Sequence, residues 1–223
     1  YCGVVGFKPT HQLVPLTGVA TLSHAFDTVG WFTQGVDDCT TMFSALTGTE
    51  IPARQSLRIG RYRSHQWDAA ASETVEVMDS ASEALIERDV EIVDLDPLAH
   101  LESVFDAANT ILHYEIVRVF AWEQTHHYEL ISDLARKMLV REVTHKQYIE
   151  AHLTLIEARR EHDKFMAYNG FDALLTPSTP GEAPPIKTTG DSVFNRVWTA
   201  LGVPAIHLPL GMGPTGLPLG VQL

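Results

Sequence analysis

The spacing of apolar and polar positions changes along the chain, and each change marks an element. Residues 1–34 mix Gly, Thr, Pro and β-branched residues, which predicts short strands and turns and no long helix. From Val36 the apolar positions Cys39, Met42, Phe43 and Leu46 fall at helical spacing and predict a helix. Asp37 and Asp38 suit its first turn, where the helix dipole favours anions, and Gly48 suits its C-terminal cap. A short linker follows around residues 49–56.

Residues 57–95 read as a strand–helix–strand unit. LRIGRY (57–62) is a short strand, Ser72 to Arg88 an amphipathic helix with Ser72 as its N-cap, and VEIVDL (90–95) a second strand. Val75, Met78, Asp79, Ser82 and Leu85 share one side of that helix. A strand–helix–strand unit at this spacing predicts parallel strands with a right-handed crossover. Residues 99–168 lack Gly and Pro and are rich in Ala, Leu, Glu and Arg, so they are predicted to be mostly helical. Within them Ile149, Leu153, Ile156 and Arg160 suit an amphipathic helix with a wet outer face. DALLTP (172–177) is a buried strand ended by proline, and 177–190 a Pro/Gly/Thr-rich loop. A short helix from Phe194 to Leu201, a strand at 204–211, turn chemistry at 213–218 and a last strand from 219 complete the pattern.

The chain has 223 residues, 45% of them hydrophobic and 20% charged, which fits a globular domain rather than a disordered chain. The net charge of −12 argues against nucleic acid and against an anionic membrane surface as partners. No apolar run approaches the ~20 residues of a membrane helix. Cys2 and Cys39 form neither a disulfide framework nor a zinc site, and they suggest a reducing, cytoplasmic setting. The chain begins at Tyr1 and ends within GLPLGVQL, a strand under way. The expectation is a single partial domain over 1–223, truncated at both ends, whose sheet loses neighbours there and which folds poorly alone.

Candidate chemistry is sparse. GVVG (3–6) is neither a P-loop nor a dinucleotide fingerprint, and no GxSxG elbow or HExxH occurs. Among 11 histidines, His126 and His127 point apart on a helix and His113 and Glu115 share no face. Glu142, His145 and His152 make only a loose stripe, so solvated or packed histidines are the preferred reading. Lys8 in GFKPT is either a desolvated base or a surface lysine at a strand end. Ser23, Ser44 and Ser178 have no diagnostic setting.

Five segments together resemble the amidase signature family: YCGVVGFKPT, DTVGWFTQGVDDC, the LRIGRY unit, DALLTPSTPGEAPP and LGVPAIHLPLGMGPTGLPLGVQL. Their order and spacing match throughout, most strongly at the two ends, while 99–168 matches only in kind. The chain departs from the family at Gln12 and Leu13, where Gly-Arg is usual, at Gln34, where Arg is usual, and at Cys39, where a small residue is usual. The resemblance implies an α/β fold, a mixed β-sheet covered by α-helices, here incomplete. It also implies amide hydrolysis through an acyl-enzyme, by a serine, a second serine held by a cis peptide, and a lysine. All three lie ahead of the stretch that matches YCGVVGFKPT, and Lys8 matches the family's structural lysine, so no catalytic residue is assigned here. Metal ligands and cofactors are likewise none.

What these residues would contribute is a substrate pocket. The candidates are Thr176, at the end of its strand, and Asn195, Trp198 and Thr199, which share a helix face. An indole and an amide on one face suit an apolar acyl group with a polar handle; the alternative is Trp198 as core and Asn195 as a cap. The expected partner is a small-molecule amide, with a homo-oligomer left open. The leading function is an amidase acting on a small carboxylic amide. The alternatives are the glutaminase component of a tRNA-dependent amidotransferase, ranked second on the FNRVWTALGVPAI stretch, and a non-catalytic family member.

Overall fold

A computed structural model describes residues 1–52 and 56–223; the linker expected around 49–56 lies partly outside the described residues. Strand β1 (Val5–Lys8) and strand β2 (Trp31–Thr33) precede helix α1 (Val36–Thr47). Strand β3 (Arg58–Tyr62), helix α2 (Ser72–Ile86) and strand β4 (Glu91–Leu95) form the expected unit, with β3 and β4 parallel. The helical stretch contains α3 (Val104–Val119), α4 (Ala121–His126), α5 (Asp133–Leu139) and α6 (His145–Asn169). Strand β5 (Ala173–Pro177), helix α7 (Arg196–Leu201) and strands β6 (Ala205–Met212) and β7 (Pro218–Gln222) follow.

The seven strands form one mixed sheet in the order β2-β1-β6-β7-β5-β3-β4. β3 runs parallel to β4 and β5, and the remaining pairs are antiparallel. β1 lies between β2 and β6, and β7 between β6 and β5. The strands nearest the chain ends therefore have partners on both sides among the described residues, and the open edges are β2 and β4. β2 is three residues long, and β4 turns Glu91 and Asp94 to solvent; both features discourage edge pairing.

Side-chain alternation splits the core between the two faces. Leu174 and Tyr62 pack with α3, α6 and α7, around Val104, Ile111, Leu155 and Leu201. Leu175, Ile59 and Val221 pack under α2 against Met78 and Ala81, and Val5 and Trp31 pack under α1 against Cys39. Gly60 belongs on the first face, because a Cβ there would stand 2.4 Å from Leu95 Cδ1 and 2.7 Å from Leu174 Cδ2. No helix among the described residues is long and apolar enough to cross a membrane.

Three local expectations change. Ala71, in extended conformation, is the N-cap of α2, and Ser72 is its first helical residue. The Ala71 N–H donates to Pro180 O at 2.7 Å, which fixes where the helix begins. On α1 only Cys39 is buried, while Met42 and Leu46 are exposed, because the three-residue β2 offers nothing beyond Trp31 to cover them. On α6 the buried face is Ala151, Leu155, Ala158 and His162, and Ile149, Leu153 and Ile156 are exposed. Two long-range ties fix that rotation. Arg159 Nε and Nη2 donate to Ala200 O, and Tyr148 OH donates to Glu115 Oε1 at 3.0 Å.

Candidate functional site

β5, β7 and β6 place Thr176, Gln222 and His207 side by side on the face that meets α7, and Gly6 of β1 follows next to His207. Above this row α7 is flanked by Asn195 at its N-cap and by Gly202 at its C-cap, whose φ of 72° is the left-handed conformation glycine supplies without strain. Trp198 is buried between the two layers, edge-on to Tyr62 at 6.0 Å and tilted against His162 at 6.2 Å.

Two cavities meet at this row. One, of about 350 Å³, is bordered by His162, Met166, Leu174, Thr176, Trp198 and Gln222. The other, of about 400 Å³, is bordered by Gly6, Lys8, Asn195, Trp198, Thr199, His207 and Gln222. Phe7, Trp198, Ala205 and Gln222 form the partition that both share. Of the four residues expected from the sequence, Thr176 and Trp198 line the first cavity, and Asn195, Trp198 and Thr199 the second. Trp198 belongs to the core and lines the cavities at once. Asn195 occupies the N-cap position without a side-chain capping bond, and its Nδ2 donates instead to Ser178 O at 3.1 Å.

Hydrogen bonds tie the exit of β5 to α7 and β6. Gln222 Nε2 donates to Pro177 O at 2.8 Å and to Phe194 O at 2.9 Å. Ser178 Oγ lies 2.6 Å from His207 Nδ1. Burial holds the His207 pKa below its ordinary value, which favours the neutral ring, one nitrogen of which can accept a hydrogen bond. Serine beside histidine resembles an activated nucleophile, but Ser178 is buried and lines neither cavity, so the pair ties the loop to the sheet. Lys8 Nζ donates to the carbonyls of Val203 and Pro9, and burial pushes its pKa down to about 8. It is neither a free surface lysine nor, with two carbonyls as its partners, a poised base. What the arrangement can do is bind: an indole wall, a floor kept open by Gly6, and amide and hydroxyl groups at fixed positions.

Gln222 and His207 were missed by sequence reasoning, although both lie in segments that carry the resemblance. Their signal was strand alternation, which needs the register to be read. The histidines weighed as metal ligands have other neighbours. His126 Nδ1 bonds to Trp122 O, His145 bonds to Tyr114 OH, and His152 packs on Tyr148. Among the described residues no group of three His, Cys, Asp or Glu side chains could hold a metal ion.

The Amidase family model matches residues 1–223. The indoleacetamide hydrolase of Allorhizobium ampelinum (strain S4) is 24% identical over 257 aligned residues, covering 100% of this chain and 55% of that protein. A glutamyl-tRNA(Gln) amidotransferase subunit of Bartonella quintana (strain Toulouse) is 25% identical, covering 100% and 55%. The chain thus spans about half the length of the curated relatives it matches. Among solved structures, a crystal structure of an amidase aligns with a TM-score of 0.85 at 27% identity, over 99% of this chain and 54% of that one. The 6-aminohexanoate cyclic dimer hydrolase complexed with substrate has the same fold, with a TM-score of 0.80 at 21% identity, over 99% and 56%.

Proposed function

The chain belongs to the amidase signature family, and from that premise we propose that the full-length protein hydrolyses the C–N bond of a small carboxylic amide through an acyl-enzyme. The observation that carries the reading is the family match across residues 1–223. The paired cavities around Trp198 supply a place for the acyl group. In this reading residues 1–223 form part of one larger domain. Its reacting groups, the family's two serines and lysine, lie outside these residues, while Thr176, Asn195, Trp198 and Thr199 line the acyl pocket. Trp198 and Leu174 remove the apolar part of the substrate from water, and Asn195 and Thr199 hold its polar handle. Burial of the acyl group strengthens every electrostatic interaction at the reacting carbonyl, because water is excluded from its surroundings.

Aliphatic, aromatic and glutamine amides given to the full-length protein should release ammonia and the matching acid. Added hydroxylamine should divert part of the product to hydroxamate, which reports the acyl-enzyme. Replacing the family's nucleophilic serine should abolish both products, and a chelator should leave the rate unchanged. Failure to release ammonia from every amide would remove the reading. A second reading, the glutaminase component of an amidotransferase, is favoured by the likeness to the Bartonella protein. It requires that glutamine be the preferred amide and that partner proteins raise its turnover.

A further inference from the structure

Two buried side chains on neighbouring strands carry polar atoms that the protein leaves unused. Thr176 and Gln222 stand opposite one another in the β5–β7 register, and both line the cavity of about 350 Å³. The Gln222 amide cannot turn over, because both hydrogens of Nε2 are taken by the carbonyls of Pro177 and Phe194. Its Oε1 is therefore an acceptor of fixed position, and no donor among the described residues reaches it. The Thr176 hydroxyl is enclosed and also has no partner among the described residues. A buried hydroxyl left unpaired is unfavourable, and native proteins keep such groups where something else completes them.

The remainder of the lining decides what that can be. Met166, Leu174, Trp198, Val203 and Ala205 are apolar. Asp163 and Asp172, also among the described lining residues, are exposed at its rim. We propose that Gln222 Oε1, with the Thr176 hydroxyl beside it, selects an apolar acyl group that carries one hydrogen-bond donor, an N–H or an O–H. The proposal rests on the reading of this cavity as an acyl pocket and adds the chemistry that the pocket prefers. A hydroxyl donates to Oε1 while its oxygen accepts from the Thr176 hydroxyl, so both unused atoms are satisfied together; an N–H satisfies Oε1 alone. No covalent step is involved.

The test uses phenol and toluene, which have nearly the same shape, titrated calorimetrically into the full-length protein. A cavity without polar selectivity binds toluene more tightly, because phenol must give up its bond to water. A built acceptor reverses that order. Phenol should bind at least 10-fold more tightly than toluene. Thr176→Val, which keeps the branched shape and removes a buried hydroxyl without a partner among the described residues, should bring the two within about 2-fold without lowering the melting temperature. Gln222→Met should do the same to the ratio, and the valine variant carries the test if the methionine variant does not fold. The proposal is overturned if toluene binds as tightly as phenol, if the preference survives Thr176→Val, or if that variant melts several degrees lower, which would mark a structural hydroxyl.

Hydrolysis separates this from the parent reading. 4-Hydroxyphenylacetamide should exceed 4-methylphenylacetamide at least 10-fold in kcat/KM. Equal rates on the two overturn the selectivity and leave the amidase reading standing. No hydrolysis of either, with phenol still preferred over toluene, leaves the selectivity standing and counts against the amidase reading.

Discussion

His162 shows how one residue couples the core to pH. It is buried on α6, with Nδ1 3.3 Å from His100 Nε2 and Asp163 next to it in sequence. Burial, and then the charge of His100, push its pKa down to about 4. The neutral ring is thus the folded form, while the unfolded ring titrates near 6.5. Its contribution is complete above pH ~6.5 and is lost as pH falls toward 4, for a total of about 3 kcal/mol. Urea unfolding of the full-length protein should show that loss, and His162→Phe should flatten the profile between those limits. An unchanged profile in the variant would contradict the assignment.

Gln12 carries the opposite kind of signal. Its φ is 65°, a conformation that favours glycine, in a turn closed by Leu13 N donating to Thr10 O at 3.1 Å. A side chain at such a φ costs ~1–2 kcal/mol, partly offset by the greater freedom that glycine has when unfolded. Gln12→Gly should therefore stabilise by about 0.5 kcal/mol, read as a small rise in melting temperature. A fall of similar size would show that the turn does not need glycine.

At the level of elements, α6 separates what the chain reveals locally from what it does not. Its existence was legible, because it lies within 99–168, a run without Gly or Pro that is rich in helix formers; the structure shows that it starts at a Thr144–Gln147 capping box and ends at Gly170. Its orientation was not. Ile149, Leu153 and Ile156 are bulkier than Ala151 and Ala158, yet the alanine face is the buried one, since small residues let α6 approach its neighbours. The ties from Arg159 to Ala200 and from Tyr148 to Glu115 connect residues distant in sequence, and no local period encodes them. Leu155→Ala should cost about 3 kcal/mol of stability and Leu153→Ala less than about 0.5 kcal/mol, by denaturant titration. Similar costs at the two positions would contradict the observed rotation.

The site divides in the same way. Asn195, Trp198 and Thr199 were legible together because helical spacing is local, and Thr176 because a strand stops at proline. Gln222, His207 and Ser178 were not, because they come together only through the pairing of β5, β7 and β6. The strand–helix–strand unit was legible for the same local reason, while the position of β1 and β7 inside the sheet depends on long-range pairing.

Across the whole molecule, the two faces of the sheet differ in how they are covered. α3, α6 and α7 cover one face and leave two cavities at its polar row, and α1 and α2 cover the other. Phe32 on edge strand β2 is 81% exposed, and Met42, Leu46 and Leu153 are also in solvent. Apolar surface of this kind fits our proposal that further chain of the full-length protein packs against it, as the relatives' greater length allows.

The central claim is that the α7 face of this sheet holds the acyl group of an amide that the full-length protein hydrolyses. The most direct measurement is the steady-state release of ammonia from phenylacetamide by the full-length protein and by its Thr199→Trp variant, whose indole would fill the cavity beside Trp198. The account predicts turnover by the wild type, and a KM raised at least 10-fold in the variant with kcat within about 3-fold. Wild-type kinetics in a folded variant, or no ammonia from the wild type, would contradict it.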